Sequence, residues 1–412
     1  MRFLSGSRGT GGTVKNAPED FVVMEITGNG TVLGTDTEYS HEALGDSGSE
    51  EAKFTRFILQ KRDWDTVGAL TAIAKRLGRG RKSIGYSGTK DKMAVSVQLA
   101  SIFGVSPEQL KGIRIKDISI NGAWKGNEVE LGSNIGNAFR IRVRNAEDAE
   151  AAGRTIEELN GVFPNYFDRQ RFGYRLNNFR IGRLILEDKP AEAMMAFLAD
   201  TSNEDNAGAH EARKRLADEQ DFRSALQYFP RHLKYERIVI DYMSRYDNPA
   251  NALRKLPRGI LLLFIHAVES GVFNAVLERR LRSTDFDTGL YCRRNFYGFP
   301  DIDAITHERE GAYAVSPIIG YETKQEYIGE YEKAVMETMG ISCDLFKIKS
   351  MPELSMKGTF RALLAPAKGM SCAREGGTLT LGFEIPSGSY ATVLVNEITK
   401  TDDTDVQRMT GP

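Results

Sequence analysis

One stretch of this 412-residue chain concentrates ionisable side chains beside a strand-forming run: Gly85-Tyr-Ser-Gly-Thr-Lys-Asp-Lys-Met-Ala-Val-Ser-Val-Gln98. Asp91 stands between Lys90 and Lys92, and two nearby cations favour the ionised carboxylate. An ionised aspartate held beside a substrate can act as nucleophile or general base. The same alternation of charge also fits a plain surface turn.

A second stretch, Pro164-Asn-Tyr-Phe-Asp-Arg-Gln-Arg-Phe-Gly173, continues to Arg175, Arg180 and Arg183. Aromatic rings alternate with arginines, Asp168 being the one acid. Bases stack on rings and guanidinium groups meet phosphates, so the composition suits RNA. A helix start that buries Phe167 and Phe172 has the same composition. A third, basic cluster (Lys75, Arg76, Arg79, Arg81 and Lys82) lies shortly before Asp91, where it suits phosphate contacts or a solvated face. A fourth (Arg279, Arg280 and Arg282) ends an apolar helix, where cations also suit the helix dipole.

Several other patterns lead nowhere. Gly9-Thr10-Gly11-Gly12 follows no strand and opens no helix, as a dinucleotide loop must. Gly78 to Ser83 has Arg81 where a P-loop needs glycine before its lysine. Gly45-Asp46-Ser47-Gly48 with His41 lies in an acidic loop, and local sequence cannot establish a triad. The five histidines are scattered, and there is neither CxxC nor HExxH, so no metal site is expected. Three widely spaced cysteines, Cys292, Cys343 and Cys372, fit a reducing cytosol better than a disulfide framework.

These segments need a scaffold. The length calls for two units rather than one core. Net charge is −1, so any nucleic-acid site must be a local patch. The longest apolar run, Ile260 to Ile265, is too short for a membrane span. Val22 to Ile26, Phe54 to Gln60 and Ala94 to Phe103 are β-prone. Asp65 can cap a helix carrying Val67, Leu70, Ala74 and Leu77, with Gly78 at its end. Phe139, Ile141 and Val143 alternate with Arg140, Arg142 and Arg144, a strand with a basic outer face. Residues 147–159 read as helical, and 175–285 mainly so. The segment starting at Ile260 is apolar nearly all round, as a core helix is. Strand grammar returns at Thr378 to Ile385, passes a Pro386-Ser387-Gly388 turn and continues from Tyr390. The order mixed, helical, mixed suggests an insertion that splits one domain.

Together the segments resemble the tRNA pseudouridine synthase D family (TruD), in its archaeal type. Lys15-Asn-Ala-Pro-Glu-Asp-Phe21 followed by Glu25 is similar to the family's N-terminal lysine motif, and Gly88-Thr-Lys-Asp-Lys92 with Ala94, Val95 and Gln98 to its catalytic motif. Asn165 to Gly173 resembles the central motif. Phe383-Glu-Ile-Pro-Ser-Gly-Ser-Tyr-Ala-Thr392, with Glu397 and Lys400, resembles the C-terminal one. The chain departs at Asp168, Ser96 and Ser387, where Gly, Thr and Lys are common. The resemblance implies an α+β (mixed α/β) fold: a catalytic domain on a largely antiparallel sheet, residues 1–171 and 346–412, split by a family-specific insertion, 172–345, that forms a cleft for RNA.

The resemblance also implies the chemistry: uridine in tRNA, usually at position 13, becomes pseudouridine, with no cofactor. Asp91 would be the catalytic carboxylate, attacking ribose or base or removing a ribose proton. Lys15 would hold it ionised, Phe167 would stack on the extruded uracil, and Asn165 would shape the pocket. Arg169 and Arg171 join Lys75, Arg76, Arg79, Arg81 and Lys82 as candidate RNA contacts. The expected partner is tRNA, with no membrane and no obligate protein partner, in the cytoplasm. The alternatives are the same chemistry at another RNA position, or a non-catalytic RNA-binding protein.

Overall fold

The computed structural model describes residues 1–46, 48 and 51–401; Ser47 and the end of the 346–412 segment lie outside them. Fourteen strands are described: β1 (Phe21–Ile26), β2 (Phe54–Arg62), β3 (Ile84–Tyr86), β4 (Val95–Phe103), β5 (Ile118–Gly126), β6 (Gly136–Arg144), β7 (Val162–Pro164), β8 (Tyr291–Arg294), β9 (Pro300–Thr306), β10 (Tyr313–Ile318), β11 (Thr359–Ala362), β12 (Leu364–Pro366), β13 (Lys368–Glu375) and β14 (Thr378–Pro386). Eight form the main sheet, ordered β13-β14-β6-β1-β4-β2-β5, with β3 also on β4. Only β1 and β4 run parallel; the other pairs are antiparallel. A second sheet runs β11-β10-β8-β9, and β12 pairs with β7.

Because strand side chains alternate, register decides which residues share a face. Val23 lies opposite both Phe139 and Ser96, and Ser96 lies opposite Lys61. One face of the sheet therefore carries Phe21, Val23, Glu25, Lys61, Gln98 and Phe139. The expected basic outer face of β6 is present, with Arg140 and Arg142 exposed and Ile141 and Val143 buried.

Helix α1 (Thr66–Arg76) covers the β2–β4 end of that face with Leu70 and Ile73. Its N-cap is Asp65, which accepts from Gly68 N, and Gly78 follows at φ +65°. Two further helices belong to this part, α2 (Pro107–Lys111) and α3 (Ala149–Leu159). The helical region comprises α4 (Asn178–Leu186), α5 (Pro190–Ala199), α6 (Ala207–Glu219), α7 (Phe222–Tyr228), α8 (Lys234–Met243), α9 (Pro249–Leu253) and α10 (Arg258–Ser283); α11 (Glu330–Met339) and α12 (Ala391–Thr399) follow. Helix α10 is long and apolar enough to cross a membrane by length and composition. Its run from Val268 to Asn274 is buried without interruption, which makes it the central core helix.

The run from Tyr390 onward, read above as strand, is helix α12. Its buried residues Ala391, Leu394, Val395 and Ile398 recur at helical spacing, and packing against α3 and β7 overrides the β-preference of its valines and threonines. The Gly9 run packs against the end of this helix. Thr10 N and Gly11 N donate to Ile398 O and Thr399 O, and a Cβ on Gly9 would lie 2.2 Å from Thr399 O. Buried Glu397 accepts from Leu4 N, Ser5 Oγ and Lys400 Nζ, so the C-terminal motif ties down the N-terminal segment.

Helices α4 and α10 cross with their backbones nearly touching. A Cβ on Gly182 would stand 2.0 Å from Phe264 O. Gly182→Ala is expected to push the helices apart and lower stability by roughly 1–3 kcal/mol, the usual scale of overpacking; a fall in the urea midpoint checks it.

Candidate active site

Asp91 opens into a cavity of ≈ 390 Å³ lined by Phe21, Val23, Lys90, Asn137, Phe139, Gln170, Arg171, Leu263, Ser389 and Tyr390, among others. That size is ordinary for a small-molecule site. The sheet supplies an aromatic floor: Phe139 stacks on Phe383 at 5.4 Å and meets Phe21 edge-on at 5.9 Å.

The cation on Asp91 is Lys15, not a sequence neighbour. Lys15 Nζ donates to Asp91 Oδ2 at 2.5 Å and sits 4.2 Å from the centre of the Phe21 ring. Lys90 turns away to buried Glu25 at 2.8 Å, which also accepts from Ser87 Oγ and Leu99 N. Lys92 is exposed. Asp91 Oδ1 accepts no hydrogen bond from the described residues, so one carboxylate oxygen is fixed and the other is open to a ligand.

Lys15 reaches the site from a constrained loop. Its φ is +59°, a left-handed conformation that costs a non-glycine residue roughly 1–3 kcal/mol. The loop is fastened on both sides. Thr13 and Arg144 exchange backbone hydrogen bonds at 2.8 Å, and Asp20 accepts Ala17 N together with the Arg144 guanidinium at 2.7 and 2.8 Å. The Arg144 hydrogen bond holds the Asp20 carboxyl below its ordinary value against the opposing effect of burial.

The Asp91 turn has no regular structure and is held from below. Thr66 Oγ1 accepts Lys90 N at 2.8 Å and donates to Gln98 Oε1 at 2.9 Å, while Gln98 Nε2 donates to Gly88 O at 3.0 Å. Lys61 Nζ donates to Trp64 O at 2.5 Å and Asp91 O at 2.9 Å, with Lys90 O at 3.4 Å.

Phe167 lines a larger cavity of ≈ 1120 Å³, which shares Arg171 and Ser389 with the first. Its ring lies 6.2 Å from Tyr390 and 5.6 Å from Phe273, with the guanidinium of Arg361 over it at 4.0 Å and that of Arg171 at 5.2 Å. Its backbone is clamped by Asn274 of α10, which accepts Phe167 N at 2.9 Å and donates to Phe167 O at 2.8 Å.

Asn165 is buried and engaged inside the protein. Its Oδ1 accepts from Arg361 Nη2 and Ser389 Oγ, and its Nδ2 donates to Ala362 O. It therefore shapes the pocket through Arg361 and Ser389. The carboxamide of Asn137 makes no side-chain hydrogen bond with the described residues and lines the Asp91 cavity.

The basic residues separate into groups. Arg171 lines both cavities; Arg169 is exposed and lines neither. Lys75, Arg76, Arg79, Arg81 and Lys82 are exposed on and after α1 and line neither cavity. Among the described residues none of the five is ion-paired, although Arg79 donates to Gly104 O. Arg175, Arg180 and Arg183 are engaged by Phe197 O and Asp200 O, by Asp200, and by Glu187 respectively. Arg280 is buried against Glu332. Asp46, in the acidic loop that holds the Gly45–Gly48 run, anchors Arg56 and Trp124.

A family model for tRNA pseudouridine synthase D (TruD) matches residues 1–398. The chain belongs to that family. A Pyrococcus abyssi protein described as "probable tRNA pseudouridine synthase D" is 31% identical over 422 residues, covering 97% of this chain and 99% of its own. A Thermococcus gammatolerans protein with the same description is 34% identical over 428 residues, covering 97% of each. A solved Methanosarcina mazei structure bearing the TruD name superposes with a TM-score of 0.75 at 28% identity, over 99% of this chain and 97% of that one. The α+β fold expected from the resemblance is the fold found, and membership makes this chain an isomerase.

Around the TruD motifs, sequence reasoning missed Asn274, Arg361, Lys61 and Arg144, which support motif residues from distant positions, and the role of Asp20 inside the N-terminal motif. Asn274 sits in an apolar helix and Lys61 at a strand end, and neither carries a local signal of its partner. Asn274→Ala leaves the Phe167 N–H and C=O unpaired. Stability should drop by roughly 2–6 kcal/mol at about 1–3 per buried group, and hydrogen exchange at the Phe167 amide should accelerate; urea unfolding and exchange mass spectrometry read both.

Proposed function

We propose that this synthase converts uridine to pseudouridine at position 13 of tRNA, with Asp91 as the catalytic carboxylate. The observation that carries this is Asp91 itself: one oxygen fixed by Lys15, the other open to an aromatic-floored cavity. The reaction balances without an electron donor or acceptor. The N1–C1′ bond breaks, the uracil turns, C5 bonds to C1′, C5 loses its proton and N1 gains one. Neither metal nor cofactor is required by that balance.

The target base must leave its stack to reach the cavity. Asp91 Oδ1 then meets the ribose or the base, while Lys15 keeps the carboxylate charged and oriented. Phe167, steadied by Asn274 and Arg361, offers its ring in the larger cavity beside Arg171, where it retains the detached base. Asn165 holds Arg361 and Ser389 beside it. Arg171 lies where the two cavities meet and suits a phosphate of the flipped nucleotide. The larger cavity and the exposed cluster from Lys75 to Lys82 take neighbouring RNA, joined by Arg169. In this reading residues 1–171 and 346–412 form the catalytic unit and 172–345 the insertion, although β11 from the second catalytic segment pairs with β10 of the insertion. The expected setting is the cytoplasm, with tRNA as the partner and no obligate protein partner.

Asp91→Asn keeps shape and removes charge. Its pseudouridine formation on unmodified tRNA should fall more than about a hundredfold, as for loss of an essential group, with tRNA affinity within a few fold. Mapping the modified position reads the site at the same time; turnover near the wild-type rate would move the chemistry off Asp91.

Positioning and chemistry separate by salt. Arg79→Ala with Arg81→Ala should flatten the log Kd against log salt slope by roughly one to two units, about 0.7–0.9 per lost phosphate contact. The saturated single-turnover rate should hardly change. Phe167→Ala should do the reverse. An unchanged slope in the arginine variant would remove that cluster from the RNA path.

A further inference from the structure

The support beneath Asp91 contains a cation that neither the family motifs nor the proposed chemistry uses. Lys61 lies on β2 with no exposed surface, on the same sheet face as the site. A buried ammonium is expensive unless all its protons are taken up. Here three backbone carbonyls surround it: Trp64 O at 2.5 Å, Asp91 O at 2.9 Å and Lys90 O at 3.4 Å. Two of the three belong to the turn that carries the carboxylate.

We propose that Lys61 is a positioning residue for the reaction: its ammonium fixes the backbone of the Asp91 turn and adds a second cation near the Asp91 carboxylate, besides Lys15. This rests on Asp91 being the catalytic carboxylate. An ammonium has three N–H donors for three acceptors. A neutral amine has two, and its lone pair must then face a carbonyl oxygen. Loss of the proton therefore releases at least one of the three carbonyls, two of which anchor the turn, and removes the field of the cation together.

The surroundings place that loss within reach of ordinary buffers. Burial pushes Lys61 down to about 8, opposed by the charges of Asp91 and Asp65 and assisted by Lys90. Across the strand pairs it faces Ser96 and Ile118, which bring no charge, and at the start of α1 it faces Asp65 and Thr66. Lys90 is already held by Glu25. The sign follows: below the lowered value Lys61 is charged and the turn is anchored; above it the anchor is lost. For stability the direction is the opposite. The unfolded chain, with an ordinary lysine, binds more protons between about 8 and the ordinary lysine value of 10.5, so this group makes folding more favourable as pH rises through that window. A fall in rate there cannot be assigned to Lys61-driven unfolding.

The test compares wild type, Lys61→Met and Asp91→Asn by single-turnover pseudouridine formation at saturating tRNA, over about pH 6.5 to 9.5, a span that contains the lowered lysine value but not an ordinary one. The wild-type rate should fall with a one-proton limb near pH 8. Lys61→Met should be about tenfold to a hundredfold slower at neutral pH, the scale of a small misplacement of reacting groups, and should lack that limb. Its tRNA Kd should stay within about threefold, because a side chain with no exposed surface offers no phosphate contact. A Lys61→Met rate within threefold of wild type overturns the proposal. So does a limb that persists in that variant, which would belong to another group such as the uracil N3–H. If Asp91→Asn is inactive and Lys61→Met is normal, only the role of Lys61 fails; if Asp91→Asn turns over normally, the Asp91 reading fails first. Should Lys61→Met not fold, lysine 13Cε NMR decides on wild type and Asp91→Asn. One lysine must titrate far below the rest and move lower still when the Asp91 charge is removed; its absence, or a midpoint unmoved by Asp91→Asn, overturns the coupling.

Discussion

A five-residue turn without secondary structure, Gly88 to Lys92, has to hold a carboxylate still, and its own backbone groups have no strand or helix partners to do so. The solution is a buried polar bed built from two strands and a helix start: Gln98 on β4, Thr66 at the head of α1 and Lys61 on β2. Each meets a main-chain group of the turn. Networks of this kind are stabilising when complete and harmful when one member is lost, since the orphaned groups stay dehydrated. The register of the sheet follows from the same need. A slip of one residue on β2 or β4 would turn Lys61 or Gln98 to the opposite face and leave the turn unsupported.

The other half of the site is held by different means. Phe167 belongs to no helix or strand, yet Asn274 fixes its main chain and Arg361 covers its ring. Arg361 in turn donates to Asn165 and to Gly388 O, joining the central and C-terminal motifs. Motifs separated by some two hundred residues are thus parts of one hydrogen-bonded assembly. The close crossing of α4 and α10 sets where Asn274 stands.

Much of this was legible beforehand because the signals were periodic or local. The cap at Asp65, the alternation on β6 and the apolar length of α10 each declare themselves within one element. Tyr390 onward misled because valine and threonine favour strands unless tertiary contacts take a helical face of them. The pairing of Lys15 with Asp91 followed from the family motifs alone: local sequence suggested Lys90 and Lys92, whereas Lys90 answers to Glu25. Buried lysines, asparagines and arginines are the least legible of all. Their composition is that of a surface, and only the fold shows that Lys61 and Asn274 point inward.

The two halves of the site differ in how far along the chain their supports reach. The bonds beneath the Asp91 turn span 10 to 30 residues, whereas the clamp on Phe167 spans 107 and the bond from Arg361 to neighbouring Asn165 spans 196. Loop closure over long separations is slower and entropically dearer, so local contacts form first. A nascent chain can therefore complete the bed for its carboxylate while α10 and β11 are still unmade. The aromatic half closes only when nearly the whole chain has emerged, and until then the Phe167 ring is not fixed in place to retain a base.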